Sequence, residues 1–492
     1  MSGLLVAIIA LPLSIALGIQ SVPEDVSGNG IQMGLITAIV AGFLISFFGG
    51  SRMQIGGPTA AFVVILFGYL ADPEIGVLGL QFATILAGVL LLVFSLLRAG
   101  NVMKYIPYPI VVGFTTGIGL TLIVGQIKDF LGLNSSGSEL LEKMISYVQN
   151  ITDFNWLTFL IGCLGLAIIL ILNKINKKIP AAIIAIITCT GVNLIITFAA
   201  GDMGVQTIGS KYGEINAEFY PIDFSKINDV NFGKIVIPSF SIAFLCAIES
   251  LLSATVADGM AKTKHNPNQE LLGQGLANIG AALLGGLPAT GAIARTAANI
   301  NAGAKSPLSG MLHGLFLLIM YFSLMSVLRY IPLAVFSAIL ITVAIHMCNF
   351  RLFFKLIKFS KRDSIIVLST CLLTLLLDLI YGVIGGMIIS MILNIPSYRR
   401  RMKIERREGE ILTIKVSGNI YVFNVDTIIK AIQERDASYK KVVIDFSEVI
   451  AIDATACERL GKLKKSFFSP ENTLDFINIS EKTSKRIYCF QM

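Results

Sequence analysis

Gly56-Gly57-Pro58-Thr59-Ala60-Ala61 is the stretch that decides the fold of this chain, because Gly285-Gly286-Leu287-Pro288-Ala289-Thr290-Gly291-Ala292 repeats its pattern in the second half. A second pair of segments, Tyr105-Ile106-Pro107 and Tyr330-Ile331-Pro332, follows in the same order at similar offsets. Each Gly- and Pro-containing segment interrupts an apolar stretch that is too short for a full membrane span, and Pro is favoured in the first turn of a helix. The pattern predicts two half-helices in an internally repeated chain, with chance recurrence and simple packing kinks as the alternatives.

The composition around these segments is that of a polytopic α-helical membrane protein. Of 492 residues, 54% are hydrophobic and 14% are charged, against roughly 25% charged in an average soluble domain. Apolar runs continue from Leu4 to Ile395 and, at ~20 residues each, leave room for roughly fourteen crossings, the first of them a span rather than a signal peptide. These numbers exclude a soluble enzyme and a disordered chain. The net charge is +8, but the basic residues lie in short clusters between apolar runs, which argues against nucleic-acid binding.

Loop charges orient the two halves oppositely. The segments predicted to lie inside carry Arg52, Arg98, Lys104, Lys174, Lys177, Lys178, Lys262, Lys264, Lys305, Arg351, Lys355, Lys358, Lys361 and Arg362. The segments predicted to lie outside carry Glu24, Asp25, Asp72, Glu74 and the polar stretches 134–155 and 201–231, with Arg329 a minor exception. This asymmetry follows the excess of Lys and Arg in cytoplasmic loops only if the short segments near Pro58 and Thr290 count as crossings. Each half then has an odd number of crossings, about seven, which produces the inverted repeat of secondary transporters.

The composition changes abruptly after Pro396. A basic collar follows, made of Arg399, Arg400, Arg401, Lys403, Arg406 and Arg407, and the rest of the chain is charged and mixed. We therefore predict a transmembrane domain over residues 1–397, with repeats at about 1–200 and 234–397, a basic linker at 398–409 and a soluble α/β domain at 410–492.

The two half-helices define a candidate anion site. By the loop charges, the helix that starts near Pro58 runs outward and the helix that starts near Pro288 runs inward, so their N-termini meet near the bilayer midplane. The N–H groups and positive dipole ends of two helices can hold an anion there. The small residues that let an anion approach the backbone are Thr59, Ala60, Ala61, Gly291 and Ala292.

Two charged residues lie at membrane depth near this site. Glu249 lies in Ala247-Ile248-Glu249-Ser250-Leu251-Leu252. An ionised carboxylate costs much free energy at this depth in the membrane, so such a residue is taken as functional by default. Arg295 follows one turn after Gly291 and is the natural cationic partner of Glu249 or of a bound anion. Desolvation would let Glu249 carry a proton near neutral pH, so we predict proton coupling through it; the alternative is a purely structural ion pair with Arg295.

The other polar residues are weaker candidates. Asp378 can simply reach the membrane interface, and His265, His313 and His346 lack ligand spacing, so no metal site is predicted. The phosphate-binding loop of ATP-driven pumps is missing from the sequence. No nucleophile and base stand out as a pair, so we expect neither an enzyme nor a cofactor.

Several of these segments make the chain similar to bacterial members of the sulfate permease (SulP) family of anion transporters. They are Ala10-Leu11-Pro12-Leu13-Ser14-Ile15-Ala16-Leu17, the segment from Gln54 to Val63, the Glu249 segment, and the run from Ala257-Asp258-Gly259-Met260 through Gly273-Gln274-Gly275 to Ala294-Arg295-Thr296. The resemblance implies about fourteen segments in two inverted halves, a UraA-like core domain and gate domain, and elevator-like alternating access. Carried over by position, it implies an anion site at Leu13, Leu17, Thr59, Ala60, Ala61, Ala294 and Arg295, beside Glu249. Ala294 stands where animal relatives often have serine, so backbone amides must supply more of the binding.

The tail resembles the cytoplasmic STAS domain of the same family. Val442-Val443-Ile444-Asp445-Phe446-Ser447 is typical of a buried strand, and Ala451-Ile452-Asp453-Ala454-Thr455-Ala456 leads into a helix with Leu460. Related regulatory domains commonly carry a phosphorylatable serine after the aspartate. Ala454 occupies that position here, which excludes phosphorylation there and leaves Thr455 open. We expect the tail to bind a cytoplasmic regulatory protein or to support a dimer.

The leading hypothesis is a secondary active transporter that couples uptake of sulfate or a C4-dicarboxylate such as fumarate to protons. Bicarbonate ranks third among the substrates, and it would make the chain a Na⁺-coupled bicarbonate transporter. The competing class of protein is an uncoupled anion channel or exchanger. The expected partners are the small anion, the lipid bilayer and a second copy of the chain, with H⁺ or Na⁺ as coupling ion and no nucleic acid. By resemblance, the protein is expected in the bacterial plasma membrane as a multi-pass protein with both termini in the cytoplasm.

Overall fold

The structure, a computed structural model, describes residues 1–23, 30–103, 105–135, 137, 140–176, 179–377, 379–398, 402–407, 411–433, 441–467 and 473–488. The chain forms two compact units, one of Met1–Met103 with Ile118–Met347 and one of Lys104–Gly117 with Cys348–Met492. The predictions for Asp378 and for the basic-collar residues Arg399, Arg400 and Arg401 concern positions outside the described residues. The same holds for the loop charges Glu24, Asp25, Lys104, Lys177 and Lys178.

The first half of the chain is almost entirely helical, as its continuous apolar runs require. Its elements are α1 (Ser2–Ser21), α2 (Gly30–Phe48), β1 (Gly56–Gly57), α3 (Ala60–Ala71), α4 (Gly76–Leu96), α5 (Gly100–Met103), α6 (Tyr108–Leu131), α7 (Leu140–Gln149), α8 (Trp156–Ile175), α9 (Ala181–Ala200) and α10 (Ile208–Tyr212). The long helices are apolar on most sides, which is the pattern of helices surrounded by lipid or by other helices.

The second half repeats this order. Its elements are α11 (Phe232–Ala261), α12 (Pro267–Leu283), β2 (Thr290–Gly291), α13 (Ile293–Asn301), α14 (Leu308–Leu328), α15 (Leu333–Cys348), α16 (Phe350–Ile357), α17 (Lys361–Leu376) and α18 (Leu379–Tyr398). In both halves two long helices precede a two-residue strand and a short helix. Within the described part of the chain, nine helices are long and apolar enough to cross a membrane, so the full count of fourteen crossings stays a prediction.

The two strands join the halves. Gly56 pairs with Gly291 and Gly57 with Thr290 in an antiparallel ladder. Since α3 and α13 begin within a few residues of this ladder, the two helices leave it in opposite directions and their N-termini meet, as the repeat predicts. One detail differs from expectation: the second helix starts at Ile293 rather than near Pro288, because Thr290 and Gly291 are held extended by the ladder.

The second unit contains a small α/β domain. Its elements are β3 (Lys403–Arg407), β4 (Leu412–Ile420), α19 (Val425–Gln433), β5 (Lys441–Ile452), α20 (Ala454–Phe467), β6 (Thr473–Ile477) and α21 (Glu481–Tyr488). The strands lie in the order β3-β4-β5-β6, with β3 antiparallel to β4 and the others parallel. Ile414, Ile444 and Leu460 are fully buried in its core. The predicted strand at Val442 and the helix with Leu460 are confirmed, and β3 begins inside the segment assigned to the linker.

Thr455 is a structural residue of this unit. It is 4% exposed, and its hydroxyl oxygen accepts a hydrogen bond of 2.9 Å from the backbone N–H of Tyr108, the first residue of α6. The first N–H groups of a helix need such acceptors. The Thr455 hydroxyl, which the sequence leaves open to phosphorylation, is therefore buried and already engaged in capping α6.

Asp453 makes the stability of this unit depend on pH. Burial, together with the nearby charge of Asp363, raises the pKa of Asp453 to about 7, against the hydrogen bonds from Ala456 N–H and Val422 N–H that lower it. The folded chain then binds this proton more tightly than the unfolded chain, so the contribution to stability is present at low pH and is lost as pH rises toward 7. We expect thermal stability of the full chain to fall between about pH 4 and pH 7, by up to ~1.4 kcal/mol per pH unit.

The measurement for this prediction is thermal unfolding of the full chain in detergent across that pH range. Asp453→Asn should flatten the profile, and Asp475→Asn, a change at a partly exposed carboxylate of the same domain, should leave it as in the native chain. A native profile that rises with pH would contradict the assignment to Asp453.

Candidate functional site

Arg295 is the buried cation at the meeting point of the half-helices. It lies in the first turn of α13 and is 2% exposed. Its Nη2 donates to the Pro58 carbonyl oxygen at 3.2 Å and to the Ser14 hydroxyl oxygen at 3.3 Å. Its Nη1 is buried and has no hydrogen-bond partner in the described part of the chain. A buried guanidinium nitrogen without an acceptor is costly, so this atom calls for a ligand that supplies one.

Gly57 leaves the space that this guanidinium occupies. Its φ is +147°, a conformation that residues with a side chain rarely adopt, and a Cβ on Gly57 would lie 2.2 Å from Arg295 Nη1. The first glycines of the repeated motif therefore serve two purposes: they allow the strand pair, and they let a cation lie against the backbone.

Gly57→Ala should consequently damage the site more than the fold. We expect uptake of the transported anion to fall by about tenfold or more, since the added methyl group must displace the guanidinium and strain the backbone. Gly68→Ala is the matched control, because a Cβ at Gly68 meets nothing within 4 Å and should stabilise α3 slightly if it changes anything. Equal uptake by Gly57→Ala and the native chain would show that the close approach is unimportant.

Glu249 lies beside the first turn of α3. Its Oε2 accepts a 2.7 Å hydrogen bond from the hydroxyl of Thr59, which is the N-cap residue of α3. Among the described residues, the charged atoms of Glu249 and Arg295 do not come within 4.0 Å of each other, so the two side chains form no ion pair. The Glu249 carboxylate contacts the N-terminus of α3, and the Arg295 guanidinium belongs to the N-terminus of α13. The purely structural ion pair, which was the alternative interpretation, is therefore not formed.

Buried polar side chains hold the strand pair in place. The Ser250 hydroxyl accepts from Gly291 N–H at 3.0 Å, and Thr296 accepts from Ile55 N–H at 3.1 Å. Asn278 bonds both backbone groups of Ala289, at 2.9 and 3.0 Å. The sequence analysis did not single out these three side chains. Their signal is a polar residue within an apolar helical run, which is costly unless its hydrogen bonds are satisfied.

Glu270 is a second buried acid that the sequence analysis missed. It is fully buried, and its Oε2 accepts from the backbone N–H groups of Gly50 and Ser51 at 2.9 and 3.0 Å. Because two N–H donors and Gln274 surround it, it ties α12 to the turn after α2.

The remaining predicted site residues occupy the surrounding helices. Helix α1, which carries Leu13 and Leu17, packs against both α3 and α13. Leu17, Ala60, Ala61 and Ala292 are buried, whereas Leu13 is partly exposed and Ala294 is exposed. The role of these residues in anion binding stays a prediction.

The histidines lie apart from the meeting point of the half-helices along the chain. His265 Nδ1 lies 2.6 Å from Asp258 Oδ2 at the end of α11, and His313 is fully buried in α14. Among the described residues, no group of three His, Cys, Asp or Glu side chains could hold a metal ion.

Two half-helices that meet head to head inside an apolar helical bundle, with a buried arginine at the junction, define a membrane transporter with an inverted repeat. The chain belongs to the sulfate permease family, whose model matches residues 1–370, and a STAS domain model matches residues 402–489. This membership confirms the predicted fold class, with its C-terminal STAS domain, and the prediction that the chain is a transporter rather than an enzyme.

The curated relatives span nearly the whole chain. The Bacillus subtilis protein YvdB, whose name assigns it provisionally to sulfate transport, is 35% identical over 94% of this chain and 87% of its own length. The bicarbonate transporter BicA of a Picosynechococcus species is 27% identical over 99% of this chain and 89% of its own.

Solved structures agree with the fold. The transmembrane domain of a cyanobacterial bicarbonate transporter BicA superposes with a TM-score of 0.67 at 28% identity and covers 78% of this chain and 96% of that one. SLC26A9 superposes with a TM-score of 0.71 at 17% identity, over 99% of this chain and 85% of that one, which supports the fold alone.

Proposed function

We propose that the protein is a secondary active transporter that takes up a small oxyanion together with a proton. The observation that carries the proposal is the unpartnered Nη1 of buried Arg295, placed where the N-termini of α3 and α13 meet. A guanidinium and two helix N-termini supply the donors that a sulfate or carboxylate group requires. The small residues Ala60, Ala61, Gly291, Ala292 and Ala294 keep the approach to these backbone groups open.

Glu249 is the proposed proton carrier. Thr59 connects it to the anion, because this residue occupies the N-cap position of α3 and its hydroxyl donates to the Glu249 carboxylate. When Glu249 is ionised, its charge repels an anion at the same helix N-terminus; when it is protonated, that repulsion disappears. Protonation and anion binding then favour each other, which is the thermodynamic requirement for symport. Movement of the core domain, which carries the half-helices, against the gate domain in an elevator-like manner would take both to the other side.

Sulfate and C4-dicarboxylates rank as the leading substrates, and bicarbonate ranks third. Similarity to YvdB favours sulfate, and similarity to BicA keeps bicarbonate open as a substrate. In the bicarbonate alternative we propose Na⁺ as the coupling ion. The Ile248-Glu249-Ser250 segment, with glutamate rather than aspartate, favours the proton-coupled dicarboxylate alternative. We further propose a homodimer in the bacterial plasma membrane, with both termini in the cytoplasm and the STAS domain as a regulatory or dimer-supporting unit. The boundaries at 1–397, 398–409 and 410–492 belong to the same proposal.

Uptake into proteoliposomes tests this function. Labelled sulfate, fumarate and bicarbonate are offered separately to the reconstituted full chain, with an inward proton gradient, with an inward Na⁺ gradient, or with neither. We expect one of the first two anions to accumulate above its outside concentration with the proton gradient alone. Accumulation of bicarbonate with Na⁺ alone would establish the alternative transporter, and anion currents without accumulation under any gradient would establish a channel.

A further inference from the structure

Helix α16 (Phe350–Ile357) is a short basic helix that the proposed transport mechanism does not use. Together with α15 it forms an apolar stretch of 25 residues, Leu333–Ile357, which is longer than the ~20 residues that a crossing needs. Asn349, at φ +35°, separates the two helices. Because a residue in the left-handed conformation commonly ends a helix, α16 is a separate helix at the end of the crossing.

The next helix, α17, shows where the surface of the membrane lies. Its exposed apolar side chains recur at helical spacing, at Ile365, Leu368, Leu372 and Leu376. This stripe, which is typical of a helix that faces lipid, begins one turn after the exposed residues Lys361 and Arg362. The Ser364 hydroxyl donates a hydrogen bond to the carbonyl oxygen of Ile357, the last residue of α16. Helix α16 therefore ends at the level where the lipid-facing stripe begins.

The outward face of α16 has an apolar edge and a basic edge. The helix packs against α17, and its side chains Phe353 and Leu356 are buried. On the other side, Phe350 is 38% exposed and Phe354 is 56% exposed. At about 100° per residue, Phe350, Phe354 and Lys358 follow one another around this face in steps of about 40°. The other two basic residues of the helix lie beyond Lys358, so the phenyl rings and the cations occupy adjacent strips.

The basic edge carries charge that is not neutralised by ion pairing. Lys355, Lys358 and Lys361 form no ion pair among the described residues. Asp363, the acid nearest to them along the chain, is 6% exposed and accepts a hydrogen bond from the hydroxyl of Ser360, the N-cap residue of α17. Lysine side chains beside exposed phenyl rings are the pattern of a helix that lies in the surface of an anionic bilayer.

We propose that α16 is an interfacial helix that binds anionic phospholipids, in the cytoplasmic leaflet of the proposed topology. Phe350 and Phe354 lie among the first acyl carbons, and the ammonium groups of Lys355, Lys358 and Lys361 contact the lipid phosphates. A soluble anion would use the lysines but leave both rings in water, whereas a phospholipid satisfies both edges of the helix. The inference does not depend on which anion is transported.

The proposed lipid site adjoins the STAS domain. Phe359, which lies between α16 and the cap of α17, packs against the hydrophobic core of that domain. Lipid that stabilises α16 should therefore stabilise the C-terminal domain as well, which makes unfolding of the full chain a suitable readout.

Thermal unfolding of the purified full chain in a neutral detergent tests lipid binding. Phosphatidylglycerol should raise the unfolding midpoint by about 5 °C relative to phosphatidylcholine, because a ligand that binds only the folded chain stabilises it. The double variant Lys355→Gln, Lys358→Gln should lose at least about half of this shift. Lys264→Gln combined with Lys305→Gln removes two exposed lysines from other segments that are predicted to lie inside, and this matched control should keep the whole shift.

Three results of this experiment would overturn the proposal. The first is an equal shift with phosphatidylcholine and phosphatidylglycerol. The second is a full shift in the variant that lacks both Lys355 and Lys358. The third is the same shift with inorganic phosphate alone, since the site would then bind a soluble anion.

Tryptophan fluorescence tests the depth of α16 independently. Trp156 is the one tryptophan of the chain, so in a Trp156→Phe background the substitution Phe354→Trp reports on α16 alone. In proteoliposomes, phosphatidylglycerol brominated near the headgroup should quench this variant by at least about half, and lipid brominated at the chain end should quench it less. Ile450→Trp in the same background, at a position of the STAS domain that is 61% exposed, should be quenched by neither. Equal quenching of the two variants, or stronger quenching of Phe354→Trp by chain-end bromine, would contradict an interfacial helix.

Discussion

Arg295→Gln should lower the rate of anion uptake by about 100-fold, which corresponds to ~2.7 kcal/mol. The glutamine is close to the arginine in size but removes the charge and the free Nη1, so the anion loses a charge-assisted donor in a buried setting, where such a loss costs several kcal/mol. Arg295→Lys should recover part of the rate, because an ammonium restores the charge without the two-pronged geometry of the guanidinium. Initial rates of labelled-anion uptake, normalised to reconstituted protein, measure the effect.

Arg329→Gln is the control for this substitution. Arg329 is a half-exposed arginine paired with Glu214 at 3.6 Å, and exposed pairs contribute little. Its removal should leave uptake within about twofold of native. If Arg295→Gln transported as well as Arg329→Gln, the anion could not be held where the two half-helices meet.

Glu249→Gln should separate anion movement from its driving force. The amide cannot carry the proton, but it can still accept the hydrogen bond from Thr59. We therefore expect exchange of labelled for unlabelled anion to continue within about threefold of native, while accumulation driven by a proton gradient falls by about tenfold or more. The two assays use the same proteoliposomes, so that differences in reconstitution cancel.

Glu214→Gln provides the comparison for this loss. Glu214 is an exposed acid of the polar segment between the halves, and its removal should change neither assay. Gradient-driven accumulation by Glu249→Gln at the native level would remove Glu249 from the coupling mechanism and leave Na⁺ coupling or uncoupled exchange as the alternatives.

The outline of the fold could be predicted because the decisive signals are local. Gly56-Gly57-Pro58 and its repeat interrupt apolar runs that are too short for a full span, which predicts broken helices, and the change of composition after Pro396 marks the second domain. The sequence analysis predicted that the two N-termini meet, but it did not predict the strand pair of Gly56 with Gly291. It also placed the start of α13 near Pro288 rather than at Ile293, since a proline indicates a helix start only to within a few residues.

The contacts that decide the chemistry could not be predicted in the same way. Thr59 and Glu249 are 190 residues apart, and Arg295 and Ser14 are 281 apart; which atoms meet depends on helix packing angles that no local pattern records. The free Nη1 of Arg295 and the unpartnered amide of Gln126 are likewise properties of packing. The sequence identifies a polar residue whose burial costs free energy. Only the folded chain shows whether hydrogen-bond partners offset that cost.

The most direct test is to locate the anion. Crystals of the full chain are soaked in selenate, in place of sulfate, or in bromofumarate, in place of fumarate, and the heavy atom is found by anomalous diffraction. We expect a peak within contact of Arg295 Nη1, between the first turns of α3 and α13. A peak elsewhere in the bundle with the Arg295 region empty, in a protein that transports the same anion in proteoliposomes, would contradict the assignment of the transport site.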